Sequence, residues 1–282
     1  TTEIYTLSLH DALPIYLSPA TQYTFGVIAK DAADNSSDQA TMIAYTMLLA
    51  PTTVTAVPHT TAIDITWSTV SSAETYEVKV NDNTVSDITG TSYTYRGLTP
   101  GQNYSVQVRG INENSEGVWS TAVTGTTSLY TSFSGTITQD TTWSKDYSPY
   151  VISNVTVNQG VTLTVETGTV IKCNSSILIT LNGKLIVNGT AENPVVFTAV
   201  NDPAYGGTGT IYYWKGIDIT ATGEMDADHA IIKYAGNYSS YGAIKDKGKL
   251  TLTNSHISFS YYYNISITDD PASVVIENNT LS

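Results

Sequence analysis

Val161-Thr162-Leu163-Thr164-Val165, Ile177-Leu178-Ile179-Thr180-Leu181, Lys184-Leu185-Ile186-Val187 and Pro194-Val195-Val196-Phe197 follow one another in close succession. Each run is too short for a helix, is rich in β-branched residues and is bounded by Gly-Thr, Asn-Gly or similar turns, so each reads as a strand. The pattern continues through Gly216-Ile217-Asp218-Ile219, Ala230-Ile231-Ile232, Lys249-Leu250-Thr251-Leu252, Asn264-Ile265-Ser266-Ile267 and Ser273-Val274-Val275-Ile276. Strands this short and this evenly spaced predict a right-handed parallel β-helix, in which each coil stacks its inward Val, Ile and Leu on those of the next. At ~20–25 residues per coil, residues 128–282 hold on the order of six or seven coils.

The rest of the chain is also β in character. Its 282 residues suggest two or three domains. Only 13% are Asp, Glu, Lys or Arg, and polarity comes instead from Thr, Ser, Asn and 20 Tyr, which suit pleated strands. The net charge of -13, with a pI near 4.5, and the lack of any basic cluster denser than Lys245, Lys247 and Lys249 argue against nucleic-acid and anionic-membrane partners. No apolar run reaches the ~18 residues of a membrane span, so no membrane insertion is expected. The single cysteine, Cys173, excludes an internal disulfide.

Residues 16–127 contain a repeat. Leu17-Ser18-Pro19-Ala20-Thr21-Gln22-Tyr23 matches Leu98-Thr99-Pro100-Gly101-Gln102-Asn103-Tyr104, and alternating strands and an Asn-containing turn follow each. Leu-x-Pro-x-x-x-Tyr resembles the tyrosine corner of fibronectin type III modules. Ile63-Asp64-Ile65-Thr66-Trp67 and Tyr76-Glu77-Val78-Lys79-Val80 resemble the second and third strands of such a module. The resemblance implies a complete sandwich over 51–127, with Trp67 filling the space between its sheets. Residues 16–50 carry only the last strands of a second module, and a lone hairpin is marginal in water.

Gly160–Lys172, then Gly183-Lys184-Leu185-Ile186-Val187-Asn188-Gly189-Thr190, Pro194–Thr198 and Trp214-Lys215-Gly216-Ile217 follow in an order that resembles bacterial surface and secreted β-helix proteins of pectin-lyase-like shape. The expected fold is therefore all-β: a partial and a complete fibronectin type III-like β-sandwich, then a right-handed parallel β-helix over 128–282, truncated at its C-terminus. Residues 1–15 resemble a translated sequencing adapter and are set aside as an artefact leader.

Shape does not transfer activity. Glu166, Glu192, Asp202, Asp218 and Glu277 are scattered, where glycoside hydrolysis needs a pair of carboxyl groups. The β-helix region has no arginine, the residue that solenoid lyases commonly use to stabilise negative charge. Glu224, Asp226 and Asp228, followed by His229, could present oxygens to calcium if they lay on an extended loop. The Gly and Glu of an EF-hand are missing, and a solvated turn between coils is the favoured reading.

The aromatic residues are more informative. Tyr205, Tyr212, Tyr213 and Trp214 flank Gly206-Gly207-Thr208-Gly209, and Tyr234, Tyr238, Tyr241 and Tyr261-Tyr262-Tyr263 follow. Exposed rings of this kind stack on sugar rings. The candidate ligand-binding residues are Tyr205, Tyr213, Trp214 and Tyr241. In an extended segment Tyr212 and Trp214 face one side and Tyr213 the other, so the three cannot share one ligand. The expected function is a non-catalytic binding, spacer or adhesive piece of a larger exported bacterial protein, extracellular or at the cell surface, with a polysaccharide or cell-surface glycan as partner. The alternative is an accessory and partly catalytic region of a polysaccharide-active enzyme. No cofactor is expected beyond calcium at the acidic segment.

Overall fold

The computed structural model describes residues 17–208, 210–237, 242–268 and 271–282. The leader 1–15, Gly209, Tyr238, the candidate Tyr241 and Asp269-Asp270 lie outside the described residues. Those described form two compact units, the second of which takes in 58–63 and 95–103 as well as 126–282.

In the first unit, Gln22–Val27 pairs antiparallel with Ala40–Tyr45. Tyr23 closes the predicted corner, its hydroxyl accepting from the Ser18 amide at 2.8 Å. Met42 and Ile43 point to opposite faces of this hairpin and are 64% and 57% exposed, so neither face is covered. Downstream lies the sandwich. One sheet joins Val54–Pro58, Ala62–Trp67 and Ser92–Arg96; the other runs Val123–Thr126, Asn103–Asn112, Thr75–Val80, Asn83–Ile88. Alternation places Ile63, Ile65, Trp67, Tyr76, Val78, Val80, Val106 and Val108 in the core. The Trp67 and Tyr76 rings meet at 5.4 Å, and the Tyr76 hydroxyl accepts from the Val70 amide at 2.9 Å.

From Thr131 onward the described residues form a parallel β-helix. Each coil contributes one short strand to each of three ladders. The first ladder stacks Thr141–Trp143, Thr162–Glu166, Lys184–Asn188, Glu224–Asp228, Lys249–Thr253 and Ser273–Glu277. The second stacks Tyr150–Val157, Leu178–Leu181, Gly216–Ile219, Gly242–Asp246 and Tyr263–Ile267. The third begins from the same long strand Tyr150–Val157 and adds Val170–Cys173, Val195–Ala199, Ala230–Lys233, His256–Ser258 and Thr280–Leu281. Thr131–Ile137 pairs beneath it all. The six strands of the first ladder match the expected coil number. Register is one-to-one: Leu163 lies on Leu185, Met225, Leu250 and Val274, and Val165 on Val187, Ala227, Leu252 and Ile276. A single hydrophobic core runs up the inside of the coils. Glu224–Asp228, read as a turn, is a ladder strand: its even-numbered acids point out while Met225 and Ala227 fill the core.

One inward position breaks the pattern. The column Val157, Leu181, Ile219 is continued by Asp246 and then Ile267. Asp246 is fully buried; its Oδ1 accepts from the Gly248 amide at 3.0 Å, and its Oδ2 has no partner. Burial raises its carboxyl above the usual carboxylate range, against the opposing pull of the Gly248 bond. Between the ordinary and the raised value, the folded state keeps a proton that the unfolded chain releases. Stability should fall as pH rises through the window between the ordinary and the raised value. Asp246→Asn removes the charge and keeps the Gly248 acceptor. It is expected to be more stable than the native chain at pH 7, by roughly 1–3 kcal/mol, and the gap should close on acidification. Melting temperatures of both proteins across that window test this; a gap that widened toward acid would refute it.

Candidate functional site

The residues after Val195–Ala199 depart from the regular coil. Val200 to Lys215 form a long loop containing the short helix Pro203–Tyr205. Asp202 caps that turn, accepting from the Ala204 amide at 3.0 Å. The same carboxylate accepts from the Thr198 hydroxyl at 2.6 Å and pairs with Lys233 at 3.2 Å, on the next coil. Burial pushes the Asp202 carboxyl up, but these three donors outweigh it and hold it below the usual range. The acid thus ties the loop to the coil above.

Lys233 carries the aromatic face. Its ammonium lies 5.7 Å from the Tyr205 ring, 5.0 Å from Tyr234 and 5.7 Å from Phe259, within reach of cation–π attraction. Tyr234 and Phe259 end successive third-ladder strands in the same way, each left-handed with φ of 59° and 55°. Such a φ is uncommon for a bulky side chain, and here it occurs on two successive coils. The repeat lays the two rings face to face, 5.1 Å apart at 15°. Tyr213 meets Tyr234 edge-on at 5.9 Å and Tyr261 at 5.3 Å, and Tyr261 meets Tyr262 at 4.8 Å. Tyr212, Phe259, Tyr261, Tyr262 and Tyr263 are all at least half exposed.

Of the sequence candidates, Tyr205 and Tyr213 belong to this face and are half-buried. Trp214 does not: it is 0% exposed, and its indole N–H donates to the Lys233 carbonyl at 2.9 Å. An enclosed ring offers no face to a ligand, and Trp214 is corrected to a core residue beneath the cluster. Tyr234 and Phe259 were not among the candidates, because nothing local predicts that two left-handed turns would stack.

The acidic segment is placed differently from the loop that a calcium site would need. On a strand, alternate side chains stand ~7 Å apart. Glu224 pairs with Lys184 at 2.7 Å, and that bond is the main cause of its lowered pKa, with Lys249 adding to it. Asp228 accepts from Asn254 and Thr253, and the His229 Nδ1 lies 3.0 Å from its other oxygen without a hydrogen bond. Among the described residues no group of three or more His, Cys, Asp or Glu side chains is arranged to hold a metal ion. Of the scattered acids, Asp202 is committed to Lys233 and Thr198, and Asp218 stands in register with Lys245.

Comparison with known proteins agrees with the architecture. Residues 49–126 match the fibronectin type III domain, and residues 135–245 match the pectate-lyase like beta helix domain. No curated protein matches the chain. Among solved structures it is similar to FN3tt, at 20% identity over 30% of this chain and 98% of that one, with a TM-score of 0.27. It is similar to a Fn3-like protein from Clostridium thermocellum at 26% identity, over 27% of this chain and 88% of that one, with a TM-score of 0.26. A two-domain segment of chicken tenascin matches at 20% identity, over 38% of this chain and 66% of that one, with a TM-score of 0.30. No described helix is long and apolar enough to cross a membrane.

Proposed function

We propose that this chain is a non-catalytic binding and spacer region of an exported, cell-surface or extracellular bacterial protein, and that it holds a neutral glycan on the aromatic face of its coils. The observation that carries this reading is the continuous set of rings from Tyr205 and Tyr213 through Tyr234, Phe259, Tyr261 and Tyr262, half or more exposed at Phe259, Tyr261 and Tyr262 yet fixed by one another and by Lys233. Rings held in place lose little freedom when a sugar stacks on them, and their flat faces match the apolar face of a pyranose. The net charge of -13 favours neutral over polyanionic chains at low salt. Fibronectin type III modules are typical of extracellular proteins, which supports the location.

Stacking with few polar anchors gives a weak affinity, around millimolar to tens of micromolar. In affinity gels containing neutral polysaccharides, the native chain should be retarded by at least one. Tyr213→Ala/Tyr261→Ala should lose most of that retardation, because each ring braces the other. Equal retardation of both proteins, or none on any neutral polysaccharide, would refute the binding reading. Metal-dependent release of unsaturated or reducing sugar ends would instead favour the enzyme alternative.

A further inference from the structure

A groove of about 790 Å3 runs up the outer face of the third ladder, below the Val200–Lys215 loop. It crosses successive coils. Ser132, Val151 and Lys172 stand in register on three stacked strands and form one half of its floor. Ser153 and Asn174, bonded to each other at 3.3 Å, form the other half. Tyr130 lies at the lower end and Tyr205 at the upper, so the groove abuts the aromatic face through a shared ring. Stacked strands are ~4.8 Å apart, close to the advance of one pyranose along an extended chain. A floor whose one column runs hydroxyl, isopropyl, ammonium (Ser132, Val151, Lys172) and whose other sets a hydroxyl beside an amide (Ser153, Asn174), lined also by Tyr130 and Tyr205, has the form of a sugar-binding cleft.

Lys172 gives the groove a specificity. Its side chain is half-buried, and its ammonium makes no hydrogen bond or ion pair with a described residue. Asp202 acts on it through its field, but that carboxylate is already committed to Thr198, the Ala204 amide and Lys233. Burial holds the Lys172 pKa below the usual lysine range. A cation partly withdrawn from water, with only a share of the Asp202 charge, carries a desolvation cost that an incoming anion would offset.

We propose that this groove is a subsite for a single negatively charged substituent, a carboxylate or a sulfate ester, on an otherwise neutral oligosaccharide, with Lys172 donating to it while Tyr130 and Tyr205 flank the neighbouring sugars. The proposal rests on the glycan reading above and adds a charge preference at a place outside the aromatic cluster. A densely charged polyanion is disfavoured by the chain's own charge; one substituent facing one ammonium is not.

The test uses the full chain with its lysines 13C-methylated, and three pentasaccharides: β-1,4-, β-1,3- and α-1,4-linked glucan. Each is offered neutral, with one C6 carboxylate, and with one 6-O-sulfate. At least one charged form should bind about tenfold more tightly than its neutral parent, and the Lys172 signal should move with its apparent pKa raised. The stronger of the two charged series identifies the anion. Lys172→Gln should melt like the native chain, bind neutral probes unchanged and lose the tenfold preference; Lys172→Arg should keep part of it. Equal affinity for charged and neutral forms, or a preference that survives Lys172→Gln, overturns the proposal. Retardation on neutral glycan without charge preference sinks this subsite and leaves the aromatic reading standing. A Lys172 response to charged probes without any neutral binding does the reverse, and silence toward every probe sinks both.

Discussion

Trp67→Ala is expected to unfold the fibronectin type III module and to leave the β-helix melting where it does in the native chain. Trp67 is 6% exposed, packs on Tyr76 at 5.4 Å and shares its strand with the buried Ile63 and Ile65. Truncating such a ring costs ~3–5 kcal/mol, the lost transfer energy plus the cavity. That approaches the whole stability of a domain this small. The β-helix has its own core, so calorimetry should show one transition lost and one kept. The indole N–H of Trp67 is buried without a partner, so Trp67→Phe, which removes it while keeping most of the ring, should cost far less than Trp67→Ala. A single transition that vanished as a whole in Trp67→Ala would disprove the separation.

Trp214→Ala should be the corresponding lesion in the coils. Trp214 is the largest of the fully enclosed side chains, and its indole is the donor to the Lys233 carbonyl. Its own amide donates to the Tyr234 carbonyl at 3.1 Å, so the residue joins the inserted loop to the turn that bears the stacked rings. The substitution opens a cavity, at ~3–5 kcal/mol, and orphans a carbonyl, at ~1–3 kcal/mol. Denaturant unfolding should show the loss in the β-helix transition alone, and any glycan binding should fall with it. Trp214→Phe fills most of the space and forfeits only the bond, so it should retain binding. An alanine variant within about 1 kcal/mol of the native chain would show that the loop does not depend on this ring.

The contrast between those two tryptophans shows what was legible in the sequence. Trp67 sits in an alternating strand that resembles the second strand of a fibronectin type III module, and that resemblance implies its place between the sheets. Trp214 follows Tyr212-Tyr213 beside a glycine-rich loop, a context that reads equally as a binding surface; its burial depends on Lys233 and Tyr234, supplied by the next coil. The same limit explains Glu224–Asp228. Alternating acids read as a solvated turn, and only the stacking of Met225 on Leu185 and Leu250 turns them into the outer row of a strand. Asp246 drew no attention in the sequence, lying between Lys245 and Lys247, whereas register with Leu181 and Ile219 forces it inside. Strand existence was local information. Which coil lies on which, and hence which rings and charges meet, was not.

The ladders have a mechanical consequence. Their backbone bonds run from coil to coil, along the stacking direction, so a pull on the two ends of the β-helix would load them in tension and peel them a few at a time. The step from Met225 to its ladder neighbour Leu250 is one coil, and a coil of about 25 residues drawn straight spans ~80–90 Å. Under tension such a region would lengthen in discrete increments, each releasing one coil. A glycan seated across several coils would act as a brace, because freeing any one of them would first require that it let go.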